Sequence, residues 1–307
     1  MAMSDRWPTA GATLPRIEDM LGECTEALTA MHRGQVHRDR WPEFAAFDVG
    51  AYPAALRREA AVQWAGRACA EHGSIHQFSA VTRALCEARV PLPLLGALAR
   101  LITDEVRHAE LCAAYAAACY PEAPASEVWT SWRVPKAPWP DAPSLTHNEA
   151  SAQGAVVWAA DAIMTACCFG ETLSVPMLKA IAVVATDPVA QAVAEQILRD
   201  EHLHARFGWE ALRALLGHID ADGRAWLQGQ LPTHMAGFEV STCVDVRLAD
   251  LLDDGELTIG PGTVEAPNLG VLTHKQYAFI FYHTVEQEIF PQLRALGFDP
   301  AAAWAAR

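Results

Sequence analysis

Two hexapeptides of one pattern, DEVRHA at 104–109 and DEHLHA at 200–205, constrain this chain more than any other feature of its sequence. Each contains Glu-x-x-His. On a helix, positions i and i+3 project from neighbouring points of one face, so a carboxylate oxygen and an imidazole nitrogen can converge on a single ion. The spacing alone is a weak signal, because Glu and His meet at that separation by chance. The surroundings strengthen it. Residues 94, 98, 101, 105, 108, 112 and 115 read Leu, Leu, Leu, Glu, His, Cys, Tyr, which is one face at helical spacing. Residues 190, 194, 197, 201, 204, 208 and 211 read Ala, Ala, Ile, Glu, His, Gly, Ala. Both polar pairs thus lie on stripes that should face a core.

The segments ahead of the two motifs carry one further acid each on an apolar face. Positions 64, 68, 71, 75, 78, 82 and 85 are Trp, Ala, Glu, Ile, Phe, Thr and Leu, so Glu71 is the single acid there. Positions 157, 164, 168, 171, 175 and 178 are Val, Met, Cys, Glu, Val and Leu, with Asp161 near the same stripe, and Glu171 is the counterpart. Four buried carboxylates and two buried imidazoles need partners, and these stripes hold no Lys or Arg. Two di- or trivalent cations are the simplest partners, and a set of oxygen and imidazole donors suits iron or manganese. His72, His76 and His202 fall off the inward phase and are expected at the surface. Asp104 and Asp200 are read either as solvated or as orienting a ligand histidine. Tyr115 is read as a core aromatic, and the His283/Glu286 pair as solvated.

Ala, Leu, Glu and Arg dominate 53–119 and 147–217, which predicts four long helices. Pro91 and Pro93 should end one helix near 89 and start the next near 93. Asp187 followed by Pro188 is an N-cap signal. Pro176 should either kink or end its helix. Prolines and Trp129, Trp132 and Trp139 break the pattern across 120–145, a connection long enough to cross a bundle. Residues 231–270 read as irregular, with a possible small hairpin in GELTIGPGTVEAPNLG, and 272–296 as helical. The predicted organisation is an N-terminal helical extension (1–52), a bundle (53–230) and a C-terminal irregular segment with a helix packed on the bundle (231–307).

The bulk properties exclude several classes. With 37 acidic against 23 basic side chains the formal charge is -14, the wrong sign for tracking a phosphate backbone, so nucleic acid is not an expected partner. The first thirty residues resemble no signal peptide, and no run of eighteen uninterrupted apolar positions occurs, so a cytoplasmic protein without a membrane is expected. The eight cysteines form no CxxC pair, which fits reduced thiols and excludes a cysteine-ligated electron-transfer module.

The order Glu, Glu-x-x-His, long crossover, Glu, Glu-x-x-His resembles the ferritin-like di-iron carboxylate superfamily over about 53–217. The separations of 34, 66 and 30 residues between successive glutamates look like those of bacterial di-iron oxygenases of the p-aminobenzoate N-oxygenase-like kind. The resemblance implies an all-α, ferritin-like four-helix bundle with a long crossover between its second and third helices. It also implies two iron ions (or a manganese/iron pair) held by Glu71, Glu105, His108, Glu171, Glu201 and His204. Glu71 and His108 would serve one ion, Glu171 and His204 the other, and Glu105 and Glu201 would bridge. The pattern departs at Ile197, where such N-oxygenases carry an additional His. The implied activity is oxidation of a small organic substrate with dioxygen as co-substrate and an external reductase as electron donor, by a monomer or homodimer. A ferroxidase or other iron-handling role is the alternative, and a rubrerythrin-like peroxide reductase is disfavoured by the missing four-cysteine domain.

Overall fold

The computed structural model describes residues 20–22, 24–37, 41–122, 149–253 and 267–307, and among them every regular element is helical. Four long rods dominate: α2 (Ala54–Glu87), α3 (Leu92–Cys119), a rod formed by α4 (Glu149–Ile163), a π-helical stretch (Met164–Glu171) and α5 (Thr172–Val184), and α6 (Pro188–Leu216). A shorter α1 (Glu26–Val36) precedes them, followed by 3-10 turns at Phe44–Ala46 and Val49–Ala51. After them come α7 (Ala221–Thr242), α8 (Leu248–Asp253), α9 (His274–Thr284), a second π stretch (Val285–Ile289), α10 (Phe290–Ala295) and α11 (Pro300–Ala306). The Trp-rich part of the crossover and most of the candidate hairpin lie outside the described residues.

The local signals act as chemistry requires. α2 closes where Arg89 adopts a left-handed φ of 55° and the Val90 N–H reaches back to the Leu85 carbonyl. Pro91 then N-caps α3 and Pro93 occupies its first turn, where a missing N–H costs nothing. Asp187 Oδ1 accepts the Val189 and Ala190 N–H groups at 3.0 and 2.9 Å, so α6 starts where the cap signal places it. Thr273 and Gln276 form a capping box at the start of α9. One expectation differs from the structure, and of the two readings of Pro176 one is excluded. Residues 231–242 are not irregular but continue α7 through Pro232, so a boundary at 230 would cut a helix. Pro176 does not end its helix, which runs on to Val184; the irregularity is the π stretch upstream.

The rods close a ring: α2 packs on α3, α3 on α6, α6 on the α4–α5 rod, and α4 back on α2. Two apolar clusters fill it. One contains Phe78 to Leu85, Leu98, Leu101, Ala159 to Leu173 and Phe207 to Leu216; the other contains Ala60 to Ala68, Leu111 to Cys119, Leu178 to Val184 and Val189 to Ile197. Each rod passes from one cluster to the other, α2 and α6 in one sense, α3 and the α4–α5 rod in the opposite sense. α3 and the α4–α5 rod therefore run the same way.

Helices α7 and α9 to α11 pack against α4, α5 and one another. The turn before α9 is pinned to the ring, since Trp64 Nε1 donates to the Leu269 carbonyl at 2.9 Å. Gly270, at φ +77°, sits where a Cβ would stand 2.8 Å from the Trp64 ring. Gly154–Val184 is long and apolar enough to cross a membrane by length and composition, but 56% of its most apolar window is buried inside the protein, as in a core helix.

Candidate metal centre

On α2, α3 and α6 the two apolar clusters are separated by one polar layer that holds Glu71, Glu105, His108, Glu201 and His204, and Glu171 of the fourth rod faces the same layer. Glu105, His108, Glu201 and His204 are buried, with one potential ligand atom from each lying within 4.8 Å of the others. His108 Nδ1 stands 3.2 Å from Glu201 Oε1, and His204 Nδ1 stands 3.0 Å from Glu105 Oε1 and 3.8 Å from Glu201 Oε1. Each imidazole therefore faces the carboxylate of the opposite motif. Glu71 Oε2 lies 3.5 Å from His108 Nδ1, and Glu171 Oε2 lies 3.9 Å from His204 Nδ1. The six sequence-predicted residues are thus brought to one place. Their exposure is graded: the side chains of Glu71 and Glu171 are 16% and 10% accessible, against at most 1% for the other four.

The opposite edges of the imidazoles meet a second pair of acids. His108 Nε2 lies 3.3 Å from Asp200 Oδ2, and His204 Nε2 lies 3.4 Å from Asp104 Oδ2, again crossing between motifs. Of the two readings left open for these aspartates, orientation is the one realised. Two arginines complete the layer. Arg100 Nε donates to both Asp104 oxygens at 2.8 and 2.6 Å and its Nη2 to Asp200 at 3.2 Å, while Arg107 bridges Asp104 and Asp200 through Nη1. These arginines were not anticipated from the stripes; the signal was Arg at i−4 and i+3 of Asp104, a spacing that reaches the same face.

The atoms facing the centre lack partners. Both carboxylate oxygens of Glu105 and of Glu201, and Nδ1 of His108 and of His204, are buried without a hydrogen bond. Orphaned buried acceptors in this number are rare and costly. Since the two outer aspartates are matched by two arginines, the four inner glutamates are what remains to be neutralised, and the buried Glu105, His108, Glu201 and His204 group could hold a metal ion. The donor set fits a metal group: carboxylate and imidazole ligands converge, and each ligand histidine is held by a carboxylate at its other nitrogen.

Without cations, protons take up the strain. Burial, with the charges of Glu171 and Glu71, pushes Glu105 well above the usual carboxylate range; burial and the Glu171 charge raise Glu201 to about 8. Burial disfavours charged His108 and His204, yet the adjacent carboxylates of Asp200, Glu201 and Glu71, and of Asp104, Glu105 and Glu171, hold both well above the ordinary imidazole value. Glu171 is raised by burial but brought below its usual value by the neighbouring His204 and Glu201 side chains. Asp200 falls to about 2, because His108, Arg107 and Arg100 outweigh its burial.

Glu171 reaches this layer from the π-helical stretch, whose wider turn changes the phase of the rod. Gly208 of α6 lets the two backbones approach there, since a Cβ at 208 would stand 2.4 Å from Cys167 Cβ. His72, His76 and His202 are exposed, as are His283 and Glu286. Tyr115 is a fully buried core residue whose hydroxyl donates to Asp187 at 3.2 Å. No disulfide links the eight cysteines. Comparison of the chain with protein-family models, with curated proteins and with solved structures finds no match.

Proposed function

We propose that this chain is a ferritin-like four-helix bundle holding two iron ions, or a manganese/iron pair, and that it works as a non-haem oxidase or oxygenase on a small organic substrate. The observation that carries the reading is the set of six buried, unpartnered donor atoms on Glu105, His108, Glu201 and His204, flanked by Glu71 and Glu171. Glu71 and His108 would hold one ion and Glu171 and His204 the other, in keeping with their 3.5 and 3.9 Å separations. Glu201, which lies 3.2 Å from His108 and 3.8 Å from His204, is suited to bridging, with Glu105 opposite it. The shared sense of α3 and the α4–α5 rod supports the ferritin-like crossover.

When bound, such a pair supplies reductive binding of dioxygen and the oxidising power for a bound substrate. The protein's own residues supply orientation and exclusion of water. Asp104 and Asp200 keep protons on the imidazole Nε2 atoms and so aim the Nδ1 lone pairs inward. The apolar clusters above and below the layer exclude water from Glu105 and Glu201. A substrate approaches along the rim where Glu71 and Glu171 retain exposure. Electrons come from an external reductase, because the eight cysteines lack the paired spacing of an internal iron–sulfur module.

Elemental analysis of the isolated protein, alongside Glu105→Ala, tests the metal reading: about two irons per chain, lost in the variant, are expected. Exposing the anaerobically reduced protein to dioxygen should then consume it with a transient visible band, while the chain remains a monomer or dimer. A large hollow oligomer loading many irons per chain would instead establish an iron-storage role. Turnover of substrate under strict anaerobiosis would rule the oxygenase out.

A further inference from the structure

A second group of metal-competent side chains lies outside the bundle centre, where α1 crosses α3. His32 Nε2 is 2.7 Å from Glu110 Oε2, and His37 Nε2 is 2.8 Å from Glu110 Oε1. One ligand atom from each of the three lies within 4.8 Å of the others. The side chains are partly buried, at 38%, 21% and 22% exposure, so the group keeps an open side toward solvent. His37 is the C-cap of α1, and its ring is stacked on Trp41 at 3.7 Å between centroids, which restricts its rotation.

We propose that His32, His37 and Glu110 form a separate site for one divalent first-row transition ion, of which Zn2+ is the representative, that fastens α1 onto α3. Two imidazoles, one carboxylate and an open position form a familiar donor set for such ions, with Zn–N and Zn–O bonds of roughly 2.0–2.2 Å. Bonds of that length place neighbouring donors roughly 3.4 Å apart in a tetrahedron, against 2.7 and 2.8 Å between the imidazole nitrogens and Glu110 here. Glu110, partly buried, lies one turn along α3 from Arg107. Arg107 Nε donates to the carbonyl of Val36, the residue preceding His37, at 2.7 Å, and the same guanidinium bridges Asp104 and Asp200. An ion at the α1 site therefore also holds the backbone against which Arg107 is set, linking the N-terminal helix to the acids that orient His108 and His204. The site does not depend on the bundle centre being an oxygenase.

Equilibrium dialysis of the full chain against Zn2+ tests this, with His32→Ala/His37→Ala and Glu110→Gln as variants. The wild type should bind one ion more than either variant, and Zn2+ should protect α1 from limited proteolysis in the wild type alone. Loss of a direct ligand should weaken this one site by more than about 100-fold, the upper end for loss of an outer-shell partner. Equal stoichiometry in wild type and Glu110→Gln would overturn the proposal, leaving a carboxylate hydrogen-bonded to two imidazoles. If the double histidine variant fails to fold, Glu110→Gln, which preserves volume, decides alone. Glu105→Gln separates the two readings: failure of the di-metal centre leaves the α1 ion bound, and failure of the α1 site leaves the bundle ions bound.

Discussion

Asp104 and Asp200 sit one position before the glutamates of their motifs, and each turns to the histidine of the other motif. That crossed arrangement predicts that Asp104→Asn or Asp200→Asn will weaken metal binding about 10- to 100-fold with the fold retained, measured by dialysis and elemental analysis. His72→Ala, on an exposed position, should leave metal content unchanged. A second residue-scale consequence concerns pH. Glu201 has a folded pKa raised to about 8 by burial and the Glu171 charge, so the folded metal-free chain binds a proton that the unfolded chain releases at lower pH. Its contribution is therefore fully present below the unfolded carboxylate range and lost as pH rises through about 8. Metal-free protein should melt at falling temperature as pH is raised across that window. Bound metal should abolish the fall, because metal takes the place of the proton.

At the scale of elements, the π stretch Met164–Glu171 and its contact with α6 decide whether Glu171 reaches the centre. Gly208→Ala would put a methyl 2.4 Å from Cys167 Cβ and 2.9 Å from its carbonyl carbon, so helix backbones must separate. We expect a loss of about 1–3 kcal/mol in chemical denaturation, together with weaker metal retention. Unchanged metal content at reduced stability would show that the approach serves packing alone. The amphipathic stripes made the four rods and their inward faces legible, since all seven positions of the α6 stripe are buried. The π stretch was not legible, because it arises from how the rod meets its neighbours. Nor was the passage of α7 through Pro232, whose lost hydrogen bond the surrounding packing tolerates.

For the whole molecule, Asp187 joins several parts of the ring. Its Oδ1 caps α6 and accepts from Tyr115 of α3 at 3.2 Å, and its Oδ2 accepts from Tyr52 ahead of α2 at 3.1 Å. Asp187→Ala removes an N-cap worth about 0.5–2 kcal/mol and strands a buried tyrosine hydroxyl. Thermal unfolding should show a loss at or above the upper end of that range, and a loss no greater than a surface substitution would refute the hub role. The C-terminal helices also belong to the folded whole, because the Leu269–Gly270 turn is fitted against Trp64.

Residue chemistry and periodicity by themselves determined an all-helical chain, the rods and their caps, and the six polar residues that interrupt its apolar faces. Spacing is a local property, and a helix writes it directly into which side chains share a face. Tertiary structure decided the rest: which nitrogen of each histidine looks inward, that the aspartates cross between motifs, that Arg100 and Arg107 neutralise them, and that His32 and His37 meet Glu110. Apart from the i−4 and i+3 contacts of Arg100 and Arg107 with Asp104, those contacts join residues 73 to 100 positions apart. No periodicity specifies such a meeting, because it depends on how far each helix turns and slides against the next.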